Sequence, residues 1–146
     1  MIRIFIISLF FASSVMGQLP ETDIWLFKIE KKENVYLYTN PLNVTHRVGY
    51  DNQPTFSLDG KSILYVVIDS TKQADIYQYN INKKATLNLT KSEVSEYSPT
   101  MLPNGLGFSC VVVEKDSSQR VWKFNFDGKF HSIAHEGTDS IGYHTW

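Results

Sequence analysis

The most regular feature of the chain is an unbroken apolar run, SILYVVI at residues 62–68, which follows the turn sequence Leu58-Asp59-Gly60. A continuous apolar stretch of this length is typical of a strand that is covered by protein on both faces. The Asp-Gly pair favours a type I′ hairpin turn, in which both central residues have positive φ. We therefore expect residues 54–57 to form a short strand that pairs with a buried strand at residues 62–68.

Two further strands are predicted after this hairpin. The polar link DSTKQ leads into ADIYQYN at residues 74–80, a run whose aromatic and branched side chains favour β-structure. The sequence INKK then turns the chain into residues 85–89, which are expected to form the fourth strand. Four short strands separated by turns are typical of one blade of a β-propeller.

The same pattern recurs 45 residues further along the chain. The residues that match at this spacing include Pro54 and Pro99, Gly60 and Gly105, Asn80 and Asn125, and the tetrapeptides LNVT at residues 42–45 and LNLT at residues 87–90. A period in the forties with several strands per unit indicates propeller blades rather than a solenoid of helices. The sequence therefore predicts an all-β fold, a partial β-propeller built of four-stranded antiparallel blades.

Incomplete units flank the two full copies. DIWLFKI at residues 23–29 matches DIYQYNI at residues 75–81 with a spacing of 52, so seven extra residues should lengthen a hairpin before residue 42. At the other end, IGYHTW places His144 at the repeat position of Pro99. We expect a half blade at residues 22–45, full blades at residues 50–90 and 96–135, and the start of a further blade at residues 141–146.

A closed ring would need more chain than these units supply, because propellers have about four to eight blades of four strands each. The sequence is therefore interpreted as the N-terminal part of a larger propeller. A complete small β-sandwich is the alternative that turn spacing alone would allow. It does not account for the 45-residue period.

The first 17 residues have the pattern of a secretory signal peptide. Arg3 precedes the apolar residues 4–11, and small residues then lead to a cleavage site predicted after Gly17. The apolar run is too short to span a bilayer as a helix. We therefore expect an exported protein, periplasmic or extracellular, with no membrane span in the mature chain.

Composition narrows the range of partners. The formal net charge is −1, which gives no indication of binding to nucleic acid or to an anionic membrane. Cys110 is the only cysteine, so an internal disulfide is excluded. The repeat places Cys110 at the position of Tyr65 in the apolar strand, which predicts a small core residue rather than a nucleophile.

These units resemble the repeats of TolB-type β-propellers, in which a proline precedes a short strand, a Ser-Pro-Asp-Gly turn, an apolar strand and an Asp-Ile-Tyr strand that ends near Leu-Thr. The first full unit has Pro54, SLDG, ILYVV, DIY and Leu89-Thr90, and the second has Pro99, LPNG, CVVV and RVW. The resemblance covers residues 22–146 and implies a six-bladed ring. TolB is periplasmic and binds outer-membrane partners, including a peptidoglycan-associated lipoprotein. The α/β domain that precedes its propeller has no counterpart in this sequence.

Three motifs that could carry chemistry favour structural roles. GFSCV at residues 107–111 lacks the final glycine of a nucleophile elbow and lies in a predicted strand. On a strand, His131 and His135 would lie roughly 13 Å apart, too far to share a metal ion. Asn43 and Asn88 begin glycosylation sequons, which coincide with the repeated strand-end pattern. We expect no catalytic residue, no metal site and no cofactor.

Two functions remain open. The first is a non-catalytic binding propeller that presents its loops and central channel to a protein, peptide or glycan. The second is the gating propeller of a secreted serine peptidase, since similar propellers precede the hydrolase domain of prolyl oligopeptidase-like enzymes. Downstream sequence would distinguish them, because a long α/β extension with G-x-S-x-G favours the peptidase.

The repeat also predicts where a ligand would bind. The first strand of each propeller blade lines the central channel, so the residues just before that strand surround one mouth of the channel. By this reasoning the candidate binding residues are Asn52, Gln53, Tyr97, Tyr143 and His144. The alternative is that these side chains satisfy local turns.

Overall fold

The computed structural model describes residues 19–146, so the predicted signal peptide lies outside the described residues. This part of the chain forms ten strands: β1 (Trp25–Lys32), β2 (Val35–Asn43), β3 (Tyr50–Phe56), β4 (Ser62–Ile68), β5 (Ala74–Asn80), β6 (Ala85–Asn88), β7 (Ser95–Met101), β8 (Gly107–Val113), β9 (Gln119–Asn125) and β10 (Phe130–Ile133). Within these residues, no helix is long and apolar enough to cross a membrane.

The strands form one hairpin, β1–β2, and two four-stranded antiparallel sheets. The first full sheet has the order β3-β4-β5-β6, and the second full sheet has the order β7-β8-β9-β10. In each full sheet, consecutive strands pair as a meander, which is the arrangement of a propeller blade. The predicted all-β fold of a partial propeller with four-stranded antiparallel sheets is confirmed.

The first strand of each full sheet is longer than the sequence predicted. β3 begins at Tyr50 rather than at residue 54, and a β-bulge interrupts β3 and β7 at the same repeat position. Gln53 and Ser98 lie in these bulges with φ of 53° and 52°. A bulge leaves one residue unpaired, so it tolerates a proline, which has no N–H to donate. Pro54 and Pro99 therefore lie within strands and do not mark their beginnings.

The turn between β3 and β4 is not the predicted type I′ turn. Gly60 has a φ of 68°, but Asp59 is not among the residues with positive φ. The Gly60 N–H donates to the Ser57 carbonyl at 2.9 Å, and the Ser57 N–H donates to the Ser62 carbonyl at 2.9 Å. The bonded pair of Ser57 and Ser62 thus encloses four residues, a length that favours a type I turn followed by a left-handed glycine.

The apolar run of β4 is buried on both faces, as predicted. On one face, a core cluster joins β4 to β8 of the second full sheet and includes Leu64, Val66, Ile68, Phe108, Cys110 and Val112. On the other face, a second cluster joins β4 to the ends of the hairpin and includes Ile63, Tyr65, Val67, Ile24 and Val44. The three units therefore stack side by side, with the first full sheet in the middle.

Cys110 lies in β8 and is fully buried within the core cluster between the two full sheets. Burial raises the pKa of its thiol well above the ordinary value. A protonated, inaccessible thiol is a poor nucleophile. The prediction of a small core residue is confirmed.

Successive units meet through equivalent residues at three places along the chain. The residue pairs are Thr22–Tyr50, Ala74–Ser95 and Gln119–Ser140. The first and third pairs are parallel β-bridges, and in the second the Ala74 N–H donates to Ser95 Oγ at 3.2 Å. Residues 139–141 therefore meet Gln119 as residues 49–51 meet Thr22, although residues 141–146 form no strand.

The hairpin β1–β2 contains the extra residues that the 52-residue spacing predicted. Its strands pair from Trp25 opposite Asn43 to Lys32 opposite Val35. Large apolar side chains on it are exposed, including Trp25, Phe27, Ile29, Tyr36 and Tyr38. The hairpin therefore presents an uncovered aromatic surface.

Candidate functional site

The candidate channel-mouth residues of β3 lie inside the strand, at its bulge, rather than just before it. Asn52 Oδ1 accepts a hydrogen bond from the Gln53 N–H at 2.7 Å, and its amide nitrogen donates to the Tyr50 hydroxyl. Gln53 Oε1 accepts from the Ser98 N–H at 2.7 Å, a contact between residues one repeat apart. Both amides are thus used within the protein, and Gln53 links the first strands of the two full sheets.

The two aromatic candidates differ in exposure. Tyr97 is partly buried and packs against the core cluster between the full sheets, whereas Tyr143 is 78% exposed. Tyr143 is accessible to a ligand, while Tyr97 also contributes to packing. For both residues, a role in binding stays a prediction.

His144 is half-buried and bonds to a serine in the middle of β8. Its Nε2 lies 2.7 Å from Ser109 Oγ, which also accepts a hydrogen bond from the Trp146 indole N–H at 2.9 Å. Burial lowers the pKa of the His144 imidazole. These contacts fasten residues 144–146 to the face of β8 that points away from the first full sheet.

The Ser109–His144 pair is not arranged as a nucleophile and its base. Ser109 is fully buried in the middle of β8, whereas a nucleophile elbow exposes its serine on a strand-to-helix turn. His144 Nδ1 has no partner among the described residues, so no carboxylate there orients the ring as in a catalytic triad. Sequence reasoning missed this pair because its members lie 35 residues apart and in different units.

A repeated side-chain network closes the end of two units. In the first unit, Asn43 and Thr45 both donate to Asp23. In the second, Asn88 donates to Asp75, while the Thr90 hydroxyl donates to Glu96. The asparagine Nδ2 atoms donate to the aspartates at 2.7 and 2.8 Å. The threonine hydroxyls accept backbone N–H groups at 3.1 and 3.0 Å. Both sequon asparagines are therefore held by strand-end contacts, which supports the structural explanation of the LNVT and LNLT sequences.

Each full sheet carries a buried acid on its first strand at the same repeat position. In the first full sheet this residue is Asp51, which is 2% exposed. Arg47 donates to Asp51 Oδ1 from Nε at 3.0 Å and from Nη2 at 2.6 Å. Burial raises the pKa of Asp51, and the Arg47 guanidinium opposes this effect. The acid of the first full sheet therefore has a cationic partner.

In the second full sheet the buried acid is Glu96, which is fully buried. Its carboxylate accepts hydrogen bonds from Thr90 Oγ1 at 2.9 Å and from the Ser92 hydroxyl. Ser92 takes the repeat position of Arg47. Burial raises the pKa of Glu96 to about 7, although the hydrogen bonds from Ser92 and Thr90 oppose this effect.

A groove of about 740 Å³ lies next to this acid, between the second full sheet and the link that precedes β7. The lining residues are Ser92, Glu93, Val94, Val112, Glu114, Lys115, Asp116, Trp122 and Phe130. Trp122 packs edge-on against Phe130 with ring centroids 5.2 Å apart, and its indole N–H donates to Glu114 at 2.8 Å. The groove thus combines an apolar, aromatic floor with a rim of charged side chains, two of whose carboxylates are ion-paired.

Sequence reasoning did not predict this groove. The available signal was the comparison between repeats, which places Ser92 where Arg47 stood and Phe130 where Ala85 stood. The first change removes a long cationic side chain, and the second adds a ring to the wall. Such exchanges become informative only once the structure shows which positions face each other.

The structure assigns no metal site to the described residues. Residues 19–146 contain no cluster of three or more His, Cys, Asp or Glu side chains able to hold an ion. His131, in β10, and His135, just after it, are both exposed.

Comparisons with known proteins identify the architecture. No family model and no curated protein matches the chain. The structure of a putative TolB from Agrobacterium tumefaciens is similar with a TM-score of 0.54 and 17% identity, covering 88% of this chain and 56% of that one. TolB from Acinetobacter baumannii is similar with a TM-score of 0.55 and 20% identity, covering 71% of this chain and 26% of that one. The chain thus spans about half or less of these structures, and its fold is that of part of a TolB-like β-propeller.

Proposed function

We propose that this chain is the N-terminal part of an exported, non-catalytic β-propeller that binds a protein, peptide or glycan in the cell envelope. The observation that carries the proposal is the likeness of its sheets to TolB propellers. The resemblance to TolB-like propellers, which bind proteins, favours a role in binding. The signal-peptide pattern of residues 1–17 supports an envelope location.

The distribution of polar groups also supports binding rather than catalysis. The polar side chains at the predicted channel mouth and in β8 form hydrogen bonds within the protein, as seen for Asn52, Gln53 and Ser109. The groove beside β7 is lined by aromatic and apolar side chains with a few carboxylates. Sites of this composition are typical of ligand recognition.

Location can be tested by fractionating cells that express the full-length protein with a C-terminal tag. We expect a mature N-terminus at Gln18 and recovery in the periplasmic or extracellular fraction. Retention in the cytoplasm with Met1 in place would contradict the proposed export.

Catalysis can be tested separately with a serine-reactive fluorophosphonate probe on the full-length protein. We expect no covalent labelling. Labelling that is lost when a downstream serine is substituted would favour the gating propeller of a serine peptidase instead.

A further inference from the structure

The junction between the hairpin and the first full sheet and the junction between the two full sheets differ at one repeat position. This residue is Arg47 in the first junction and Ser92 in the second. At the first junction, the Arg47 guanidinium binds Asp51 and also donates to the carbonyls of Val48 at 2.8 Å and Ile68 at 3.4 Å. The side chain therefore fills the space between the link and the end of β4.

At the second junction, the buried carboxylate and the strand pairing beside it are retained, but the arginine is missing. Glu96 takes the place of Asp51, and the pairing of Ser95 with Val113 repeats that of Tyr50 with Ile68. Among residues 19–146, no lysine, arginine or histidine forms an ion pair with Glu96. Gln73, the residue before β5, donates from its side-chain amide to the carbonyls of Ser92 and Val94 in the link between β6 and β7. This amide is neutral, so it does not replace the charge of Arg47.

The groove beside Glu96 has the charge and shape of a site for a cationic side chain. Ser92 lines the groove and bonds to Glu96, so the buried carboxylate lies directly beneath the groove wall. At the rim, Glu93 is paired with Lys115 and Glu114 with Arg120, so among the described residues Asp116 is the rim carboxylate without an ion pair. Trp122 and Phe130 supply ring surfaces on which an aliphatic stem and a cationic head can pack.

We propose that this groove binds an arginine side chain from a peptide segment of a partner protein, whose guanidinium takes at Glu96 the place that Arg47 takes at Asp51. Arginine fits better than lysine because its planar fork can contact a carboxylate and neighbouring carbonyls together. This inference rests on the proposed function, since it names the partner chemistry of a binding propeller.

The probe is N-acetyl-arginine amide, with N-acetyl-citrulline amide as its neutral counterpart of nearly the same shape. Binding to the full-length protein is followed through the indole N–H signals of its tryptophans, with Trp122 assigned by Trp122→Phe. We expect a saturable shift of the Trp122 signal with the arginine derivative. The citrulline derivative should bind about tenfold more weakly or worse, because it lacks the charge-assisted bonds.

Two variants test the assigned contacts. Ser92→Arg should abolish arginine binding, because its own side chain would occupy the groove as Arg47 does in the first junction. Glu96→Gln should weaken arginine binding about tenfold or more while leaving the citrulline derivative unaffected, so the test stands even where Ser92→Arg fails to fold. Glu136→Gln, an exposed acid outside the groove, is the matched control and should bind like the wild type.

Binding should also depend on pH. The ionisable groups that face Glu96 are Asp75 on β5 and Cys110 on β8, besides the Thr90 and Ser92 hydroxyls. Because the pKa of Glu96 is about 7, affinity for the cation should rise as the carboxyl ionises between roughly pH 6 and pH 8. Glu96→Gln should remove this dependence.

Equal affinity for the arginine and citrulline derivatives, or the absence of a saturable shift at Trp122, would overturn the proposal. The experiments distinguish a wrong assignment of this groove as an arginine site from a wrong proposal about the function of the whole protein. Cytoplasmic retention or fluorophosphonate labelling would contradict an envelope binding module, whereas loss of discrimination by charge contradicts only the assignment of this groove.

Discussion

At the scale of single residues, the two buried acids show how one repeat position can change its chemistry. Asp51 is neutralised by Arg47, while Glu96 has only hydroxyl partners. A buried carboxyl without a cation favours its protonated form, because desolvation penalises the charge. At the second junction, where Ser92 takes the position of Arg47, the buried acid therefore has a pKa near neutral pH, with burial as its main cause.

The free energy of unfolding of the full-length protein should depend on pH because Glu96 titrates. The pKa of Glu96 is raised from 4.5 to about 7 on folding, so the folded state holds the proton more tightly than the unfolded chain does. The free energy of unfolding should therefore fall by roughly 3 kcal/mol as pH rises from about 4.5 to about 7, and stay level above. Denaturant unfolding of Glu96→Gln should lack this decline. Glu136→Gln should keep it, and an unchanged pH profile in Glu96→Gln would contradict the assignment.

The channel-mouth hypothesis is best tested at Tyr143, because its side chain is exposed and that of Tyr97 is packed against the core. A photoreactive benzoylphenylalanine at position 143 of the full-length protein should crosslink to an envelope component in cells. The same group at Lys83, in the exposed turn after β5, is the control and should give no such product. Crosslinking that is equal at both positions would contradict a specific mouth.

At the scale of elements, two turns that both contain an Asp-Gly pair differ in their contacts with the rest of the protein. Gly60 and Gly128 both close turns with positive φ, 68° and 76°. A Cβ atom at Gly60 would meet nothing within 4 Å, whereas at Gly128 it would lie 1.7 Å from the Leu89 carbonyl oxygen. The turn between β9 and β10 thus packs its backbone directly against the first full sheet.

These two glycines form a matched pair for mutation. Gly60→Ala should cost only the strain of a left-handed alanine, about 1–2 kcal/mol. Gly128→Ala should cost clearly more, because the backbone of one sheet must also move away from the other. Thermal unfolding of the full-length variants measures the difference. Equal losses would show that the turn at Gly128 does not hold the sheets together.

At the scale of the whole molecule, the described units leave apolar surface uncovered on the side of the hairpin. The hairpin exposes Trp25, Phe27 and Ile29, and an apolar pocket of about 290 Å³ lies between the hairpin and β3. Propellers protect such surfaces by closing the ring, so that every sheet lies between two others. Units of a repeat fold that lack a neighbour are prone to associate through their open faces and strand edges.

Residues 18–146 expressed alone should therefore be marginally stable, self-associating or poorly soluble. Supplying the remaining blades of the full-length protein should restore a monomer with one cooperative unfolding transition. Size-exclusion chromatography and thermal unfolding of both forms provide the comparison. A monomeric fragment with a single sharp transition would contradict the interpretation as part of a larger ring.

The sequence by itself determined the repeat, the order of the strands, the burial of β4 on both faces and the core position of Cys110. These features depend on local turn residues and on alternation along one strand, which near neighbours encode. The same local evidence gave the wrong start for β3 and the wrong type for the turn that follows it. Both depend on the register in which β3 pairs with β4, and the bulge shifts that register.

Only the tertiary structure decided what the side chains of separate units do together. It paired His144 with Ser109, joined Gln53 to Ser98, and left Glu96 without a cation beside an aromatic groove. The 45-residue period indicates which residues are equivalent, but not which of them meet across a blade junction. Such contacts arise when distant parts of the chain pack, so burial and charge at these positions are properties of the assembled sheets rather than of any one segment.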